Sequence, residues 1–458
     1  MKRNRILLLC LLAVSCLLLC ACGNTAAAPE AGGTSGAPAG SAPANPVEST
    51  PEPTPEPLQF PDGSIHDPAE IELDLSALTE DEVDALLPLL AQMPELRKVD
   101  LGTAFPVREK TQEELDQEVD EAKKKAPYGY LPEDFADSIE PLATEDLADT
   151  AETPRLSMAA VKKLQDACPQ ADFDYRFRLF TRNLSTLDEE LNFSHIPMDD
   201  EGEAVKAILP CMTHCKSLDM DFCGVSSPAM AEIRDAYPDV DVVWRVWFGL
   251  DCSVRTDVER ILASNLNHRL TDDNTFEMRY CTKVKYLDIG HNDLLHDFTF
   301  LEYMPDLEVA IIALTGLQDL NYLHNCHKLE YLEINTCRMG MDLSPLANCK
   351  SLEHLNICWL GKVKGYEALC ELTNLKRLWI GMFTTIPEEG LQQIREALPN
   401  TVIDTKEGTG CGGTWRHMTG GYTPRYALLR QQFDYDHYQD VCATYWNDPL
   451  YGPGGMPY

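Results

Sequence analysis

Three stretches of this 458-residue chain hold residue types that could do chemistry. "CMTHC" (211–215) and "HNCH" (324–327) place sulfur and imidazole at the short spacings a zinc ion uses. Cys211, His214 and Cys215 offer three ligands, but no second cluster at suitable spacing accompanies them, so no metal is expected. "GTGCGG" (408–413) fits G-x-G-x-x-G, which cradles a phosphate only between a strand and the N-terminus of a helix. A strand is plausible around Val402, but Trp415-Arg416-His417 and a second glycine pair follow, and the stretch reads as a loop. G-x-S-x-G, H-E-x-x-H and the Walker-type lysine loop do not occur. No catalytic residue and no cofactor is expected.

Recognition chemistry is better represented. Tyr286, Val309, Tyr331, His354 and Arg377 recur at a spacing of 22 or 23 residues, and Asp288, Ile311, Glu333, Asn356 and Trp379 recur two positions later. Tyrosine, tryptophan and arginine dominate the energetics of protein interfaces because each couples large contact area to a polar handle. The candidate partner-binding residues are therefore Tyr286, Asp288, Tyr331, Glu333, His354, Asn356, Arg377 and Trp379. Trp359, with Met382, extends the patch two positions beyond the strand. The plainer alternative is that these rings stack on one another only to cover a sheet.

The elements that must position these columns are short repeats. Units begin at Val284, Leu307, Leu329, Leu352 and Leu375, 23, 22, 23 and 23 residues apart. Their inner positions are Leu287/Ile289, Ala310/Ile312, Leu332/Ile334, Leu355/Ile357 and Leu378/Ile380. A second mark runs in phase through Leu301, Leu323, Leu346 and Leu369, and Asp297, Asp319 and Asp342 recur in step until Gly365 breaks that column. Alternation over L-x-L is a strand with one buried face. No such unit closes a core by itself, so neighbours must stack. The expected fold is α/β, a leucine-rich-repeat solenoid with a parallel sheet on its concave face.

Upstream, the pattern loosens. Leu73/Leu75 and Val99/Leu101, then Leu191/Phe193 and Leu218/Met220, mark strands 26 and 27 residues apart. Thr79 with Glu82, and Thr256 with Glu259, form capping boxes; the first predicts a helix over Val83 to Met93 and the second a helix between the irregular and regular halves. "LQDACPQADFDY" (164), "IRDAYPDVDVVW" (233) and "IREALPNTVID" (394) each read as a helix ending before proline, then a strand; the last closes the array.

The ends carry a different message. Lys2, Arg3 and Arg5 precede an apolar run from Ile6 to Leu19, a secretory signal too short for an ordinary membrane span. Leu19-Cys20-Ala21-Cys22 resembles the lipobox of bacterial lipoproteins, with Cys22 as the lipidated residue; the alternative is a plain signal cut near Ala21. Residues 22–58 are rich in Pro, Ala and Gly and read as a disordered stalk. The body is expected on the outer face of the cell membrane, touching the membrane only through its lipid.

With 74 acidic residues against 38 Lys plus Arg, the net charge of −36 repels phosphates, and no nucleic-acid partner is expected. Residues 59–250 form the irregular region, with an acidic insertion at about 105–155; 251–404 hold the regular repeats and 405–458 a C-terminal cap. Trp415, Arg416, Arg425, Tyr426, Arg430 and Phe433 would seal the end of the array, or alternatively bind an acidic glycan or peptide. Cys281, Cys326 and Cys349 fall in phase with the leucines and predict small buried side chains; Cys411 and Cys442, which share the C-terminal segment, are the candidate disulfide.

Residues 59–445 resemble the leucine-rich-repeat lipoproteins of Gram-positive bacteria, through "VVWRVWFG" (242–249), "SVRTD" (253–257), "YLDIGHN" (286–292), "DLSPLANCKSLEHL" (342–355) and "GGTWRHMTGGYTPRYALLRQQFDYD" (412–436). The resemblance implies no active site. The functional expectation is a surface protein that binds a protein or peptide through the exposed face of its sheet. The competing classes are an enzyme or accessory acting on wall polysaccharide, with the C-terminal segment as its site, and a structural or adhesive surface protein.

Overall fold

In the computed structural model the chain divides into two units, Met1–Thr54 and Pro55–Tyr458. The structure describes residues 56–104, 154–180, 182–250, 252–264, 269–406 and 415–435, with short pieces between 107 and 144, all within the second unit. The signal, Cys22, most of the stalk, most of the acidic insertion, "GTGCGG", Cys411 and Cys442 lie outside the described residues.

Besides two antiparallel pairings, Leu58–Gln59 with Ile65–His66 and Val107–Glu109 with Leu142–Thr144, the described residues of the irregular half build three small sheets. Strands β1 (Glu72–Asp74), β2 (Lys98–Thr103) and β3 (Asp172–Leu179) run parallel, and β4 (Arg182–Ser185) returns antiparallel to β3. Strands β5 (Glu190–Asn192), β6 (Ser217–Asp219) and β7 (Asp241–Val243) form a second parallel sheet. Glu82 reaches back to the Thr79 N–H at 3.0 Å, as the first capping box requires, and a 3-10 turn leads into helix α1, Val83–Leu90. Helices α2 (Met158–Ala167) and α3 (Ser227–Ala236) each stop before proline and hand over to β3 and β7, as the echoed sequence predicts.

The third small sheet departs from the sequence reading. "VVWRVWFG" and "SVRTD" pair as an antiparallel hairpin, β8 (Arg245–Phe248) with β9 (Cys252–Arg255). The second capping box opens no helix. Thr256 Oγ1 instead accepts the Trp244 N–H at 3.2 Å, and the Glu259 carbonyl accepts the N–H groups of Lys285 and Tyr286 at 2.7 and 2.9 Å. Tertiary pairing there overrides a local helical signal, and Arg260–Leu262 becomes β10.

From β10 the chain forms one seven-stranded parallel sheet: β10, β11 (Tyr286–Asp288), β12 (Val309–Ile311), β13 (Tyr331–Glu333), β14 (His354–Asn356), β15 (Arg377–Trp379) and β16 (Val402–Asp404), the last reached through helix α4, Glu388–Ala397. Leu287, Ala310, Leu332, Leu355 and Leu378 are partners in register, and each is fully buried. This is the shared spine of a leucine-rich-repeat solenoid; each full leucine burial contributes about 1.5–3 kcal/mol.

Each unit returns through a short 3-10 turn that buries Leu301, Leu323, Leu346 or Leu369. The recurring aspartates start those turns: Asp297, Asp319 and Asp342 each accept, at 2.9 Å, the N–H of the residue two positions on. Gly365 breaks the column because its backbone is left-handed (φ +60°), and a Cβ there would lie 2.3 Å from Asp342 Oδ1. Cys281, Cys326 and Cys349 are fully buried between units, and burial pushes the Cys326 thiol up to about 12 and Cys349 to about 11. Among the described residues no cysteine is joined in a disulfide.

Candidate functional site on the outer face of the repeat sheet

The residues flanking each spine leucine point away from the spine. The structure therefore brings together the predicted columns: Tyr286 and Asp288 on β11, Tyr331 and Glu333 on β13, His354 and Asn356 on β14, Arg377 and Trp379 on β15. The expectation that they stand open is overturned. Asp288, Tyr331, Glu333, His354, Asn356 and Trp379 are buried, and Tyr286 and Arg377 are half-buried.

What covers them is the chain's own C-terminal segment, residues 415–435. These described residues cross the sheet from β15 back to β10. Trp415 is 2 % exposed, and its ring lies 5.6 Å from Tyr331, 5.7 Å from Trp379 and 6.4 Å from His354. Thr423 then caps helix α5, Pro424–Phe433, by accepting the Tyr426 N–H, and proline at the first helical turn suits that start. Asp434 ends the helix in left-handed backbone and lies 3.8 Å from Arg260 on β10. Phe433 meets the Tyr286 ring at 6.1 Å.

The electrostatics of this contact centre on two acids in the second column, Asp288 and Glu333. Glu333 is fully buried. Its Oε1 accepts from Trp415 Nε1 at 2.7 Å and Arg416 Nε at 3.1 Å, while the other arm of the Arg416 fork reaches Oε2. The Tyr331 hydroxyl donates to the same carboxylate. Asp288 accepts from the Tyr435 hydroxyl and from the Gly290 N–H at 3.2 Å. Burial pushes the Asp288 carboxyl up, an effect the Tyr435 hydrogen bond and nearby Arg416 oppose.

Cations and rings fill the remaining space. Arg416 lies over Tyr426 at 5.0 Å, Arg425 over Tyr331 at 5.3 Å and Arg377 over Trp415 at 4.9 Å, with Arg377 Nη1 also donating to the Trp415 carbonyl at 3.1 Å. His354 is held neutral far into acid: burial, then Arg425, Arg377 and Lys376, bring its pKa to about 3. Its Nδ1 is buried without a hydrogen-bond partner.

Trp359 stands apart from the covered strip. It is 39 % exposed, its ring centroid 4.1 Å from that of Phe383, and both residues have left-handed backbone. Met382 is also exposed.

The sulfur and imidazole strings do not converge. Cys211 Sγ donates to the Met158 carbonyl at 3.1 Å, His214 pairs with Asp172 at 2.9 Å, and Cys215 points to the Ser217 carbonyl at 3.4 Å. Among the described residues no group of three or more His, Cys, Asp or Glu is arranged to hold a metal ion, and no helix is long and apolar enough to cross a membrane.

Sequence reasoning found both halves of this site and missed that they meet. The available signal was complementary charge. Asp288 and Glu333 lie in one column, while Arg416 and Arg425 sit among aromatics in a segment with no periodicity of its own.

No family profile and no curated protein sequence matches the chain. Among solved structures, an internalin (inlF) from Listeria monocytogenes aligns with 70 % of this chain at 11 % identity and a TM-score of 0.26. The chain spans 57 % of that internalin's length. A leucine-rich-repeat protein of Leptospira interrogans, LIC12759, aligns with 74 % of this chain and 96 % of its own, at 13 % identity and a TM-score of 0.29. Internalin C2 of Listeria monocytogenes aligns with 50 % of this chain and 88 % of its own, at 16 % identity and a TM-score of 0.25. The fold assignment rests on the strand register and the buried spine, not on these slight likenesses.

Proposed function

We propose that this is a lipoprotein held at the outer face of a bacterial cell membrane through lipid on Cys22, and that it binds a protein or peptide on the outer face of its repeat sheet. The contact residues in this reading are Tyr286, Asp288, Tyr331, Glu333, His354, Asn356, Arg377 and Trp379, with Trp359 at the margin. One observation supports it: that face packs against residues 415–435 of the same chain through an indole, a guanidinium fork and stacked rings, the chemistry a bound polypeptide would use.

Two experiments test the reading. A photo-crosslinking residue in place of half-buried Tyr286 or Arg377, in the full chain on intact cells, should yield a discrete adduct with a second polypeptide. Adducts only within the chain itself would count against partner binding there. Separately, Cys22→Ala should abolish fatty-acid labelling and release the protein from membranes; a variant that stays membrane-bound removes the proposed anchor.

A further inference from the structure

The C-terminal segment differs from the core it covers. The spine beneath the sheet is closed without it: Leu287, Leu332, Leu355 and Leu378 are fully buried on the opposite face, and the seven strands are hydrogen-bonded to one another in register. The segment's own backbone is satisfied locally, through helix α5, the Thr423 N–H to the Arg416 carbonyl at 2.9 Å and the Thr423 hydroxyl to the Trp415 carbonyl at 3.2 Å. Its described contacts to the sheet run through side chains and the single Trp415 carbonyl.

Those side chains are of the exchangeable kind. A buried ion pair gains little over its hydrated parts, because desolvation offsets most of the Coulomb attraction; what is costly is leaving one partner buried alone. Glu333, fully buried, therefore demands a guanidinium and a second donor, but any chain that supplies them serves. The fit is also incomplete. His354, whose ring lies 6.4 Å from that of Trp415, is 7 % exposed, and its Nδ1 is buried without a partner.

We propose that residues 415–435 are a built-in competitor for the sheet face, and that the partner displacing them is a polypeptide presenting an arginine beside an aromatic ring to Glu333. The inference rests on the reading that this face binds polypeptide. Selectivity follows from the site. The acids at Asp288 and Glu333 reject an acidic segment, the rings of Tyr331 and Trp379 flank the position of the Trp415 indole beside the guanidinium, and lysine lacks the fork that spans both carboxylate oxygens.

The test uses the full chain and a fluorescent synthetic peptide copying residues 415–435, with binding read by anisotropy. The wild-type chain should bind the peptide weakly, because its own segment holds the face. An Arg416→Glu chain, whose own segment is repelled by Glu333, should bind it roughly 100-fold more tightly, the lower end of the cost of breaking a buried ion pair. A peptide carrying Arg416→Glu should not bind, and adding Glu333→Gln to the Arg416→Glu chain should weaken binding at least about tenfold.

Equal binding by the wild-type and Arg416→Glu chains, with the variant still melting cooperatively, overturns the proposal. Amide exchange on the wild type decides the case even where the variant misfolds. Amides of Ala427 to Gln432 should exchange through an opening that leaves β13 and β14 protected; exchange only together with those strands makes the segment a fixed part of the fold and overturns the proposal. The two readings fail separately. Peptide exchange without a cellular adduct sinks the partner, and an adduct without peptide exchange sinks the competitor.

Discussion

The parallel sheets of the irregular half and the repeat sheet use the same strand grammar and treat the same face in opposite ways. In β1 the residues flanking buried Leu73, Glu72 and Asp74, are exposed, and in β5 so are Glu190 and Asn192 around Leu191. In β12, β13 and β14 the residues flanking the spine are buried as thoroughly as the spine itself. The acids show the difference most plainly. Asp100 on β2 pairs with Arg176 at 2.8 Å with both side chains about half exposed, whereas Glu333 meets Arg416 with its carboxylate fully buried. Strand position decides which way a side chain points; whether it meets water depends on what else the chain lays on that side.

The largest effect that could break this contrast comes from Arg416→Ala. It removes the guanidinium that answers Glu333 and should destabilise the docked segment by about 3–5 kcal/mol, read by amide exchange of Ala427 to Gln432. A loss under about 1 kcal/mol would place Glu333 in the same class as Asp100. Next comes Tyr435→Phe, which removes the hydroxyl donated to Asp288 and should cost about 1–3 kcal/mol, with the Gly290 N–H left as remaining donor.

Acid sharpens the comparison further. His354 is neutral in the covered site, with a pKa of about 3 against 6.5 when free, so its contribution is complete above pH 6.5 and is lost as pH falls from 6.5 toward 3. Each pH unit in that window costs about 1.4 kcal/mol. Asp288 acts in the opposite sense, because a raised carboxyl pKa relieves the folded state as it protonates. A His354→Phe chain should therefore show a shallower loss of melting temperature between pH 6.5 and 4 than wild type, and an unchanged slope would remove His354 from the acid limb. The smallest effect belongs to the open sheet: Arg176→Ala, breaking the pair with Asp100, should change stability by about 0–1 kcal/mol.

Legibility in the sequence followed the range of the interaction. The spine was readable because Leu332, Leu355 and Leu378 recur at a fixed period, and a repeated unit needs its neighbour to bury them. The Thr79–Glu82 box and the aspartates at 297, 319 and 342 act within two or three residues of chain, so local pattern suffices for them. The Thr256–Glu259 box misled for the complementary reason. Its helix would form from local bonds, but the Glu259 carbonyl gains partners 26 and 27 residues away in Lys285 and Tyr286. The site itself depends on still longer reach, 83 residues from Glu333 to Arg416 and 147 from Asp288 to Tyr435.

By itself, then, the order of residues determined the repeating strand, the buried leucine of every unit and the column on which each ring and charge would ride, since all of these follow from a period of two within strands and of 22 or 23 between them. Only the tertiary structure decided that the column is covered, by what, and which arginine answers which acid. No periodicity encodes a contact made once, between one segment and five strands, so its partners become visible only when the chain has closed on itself.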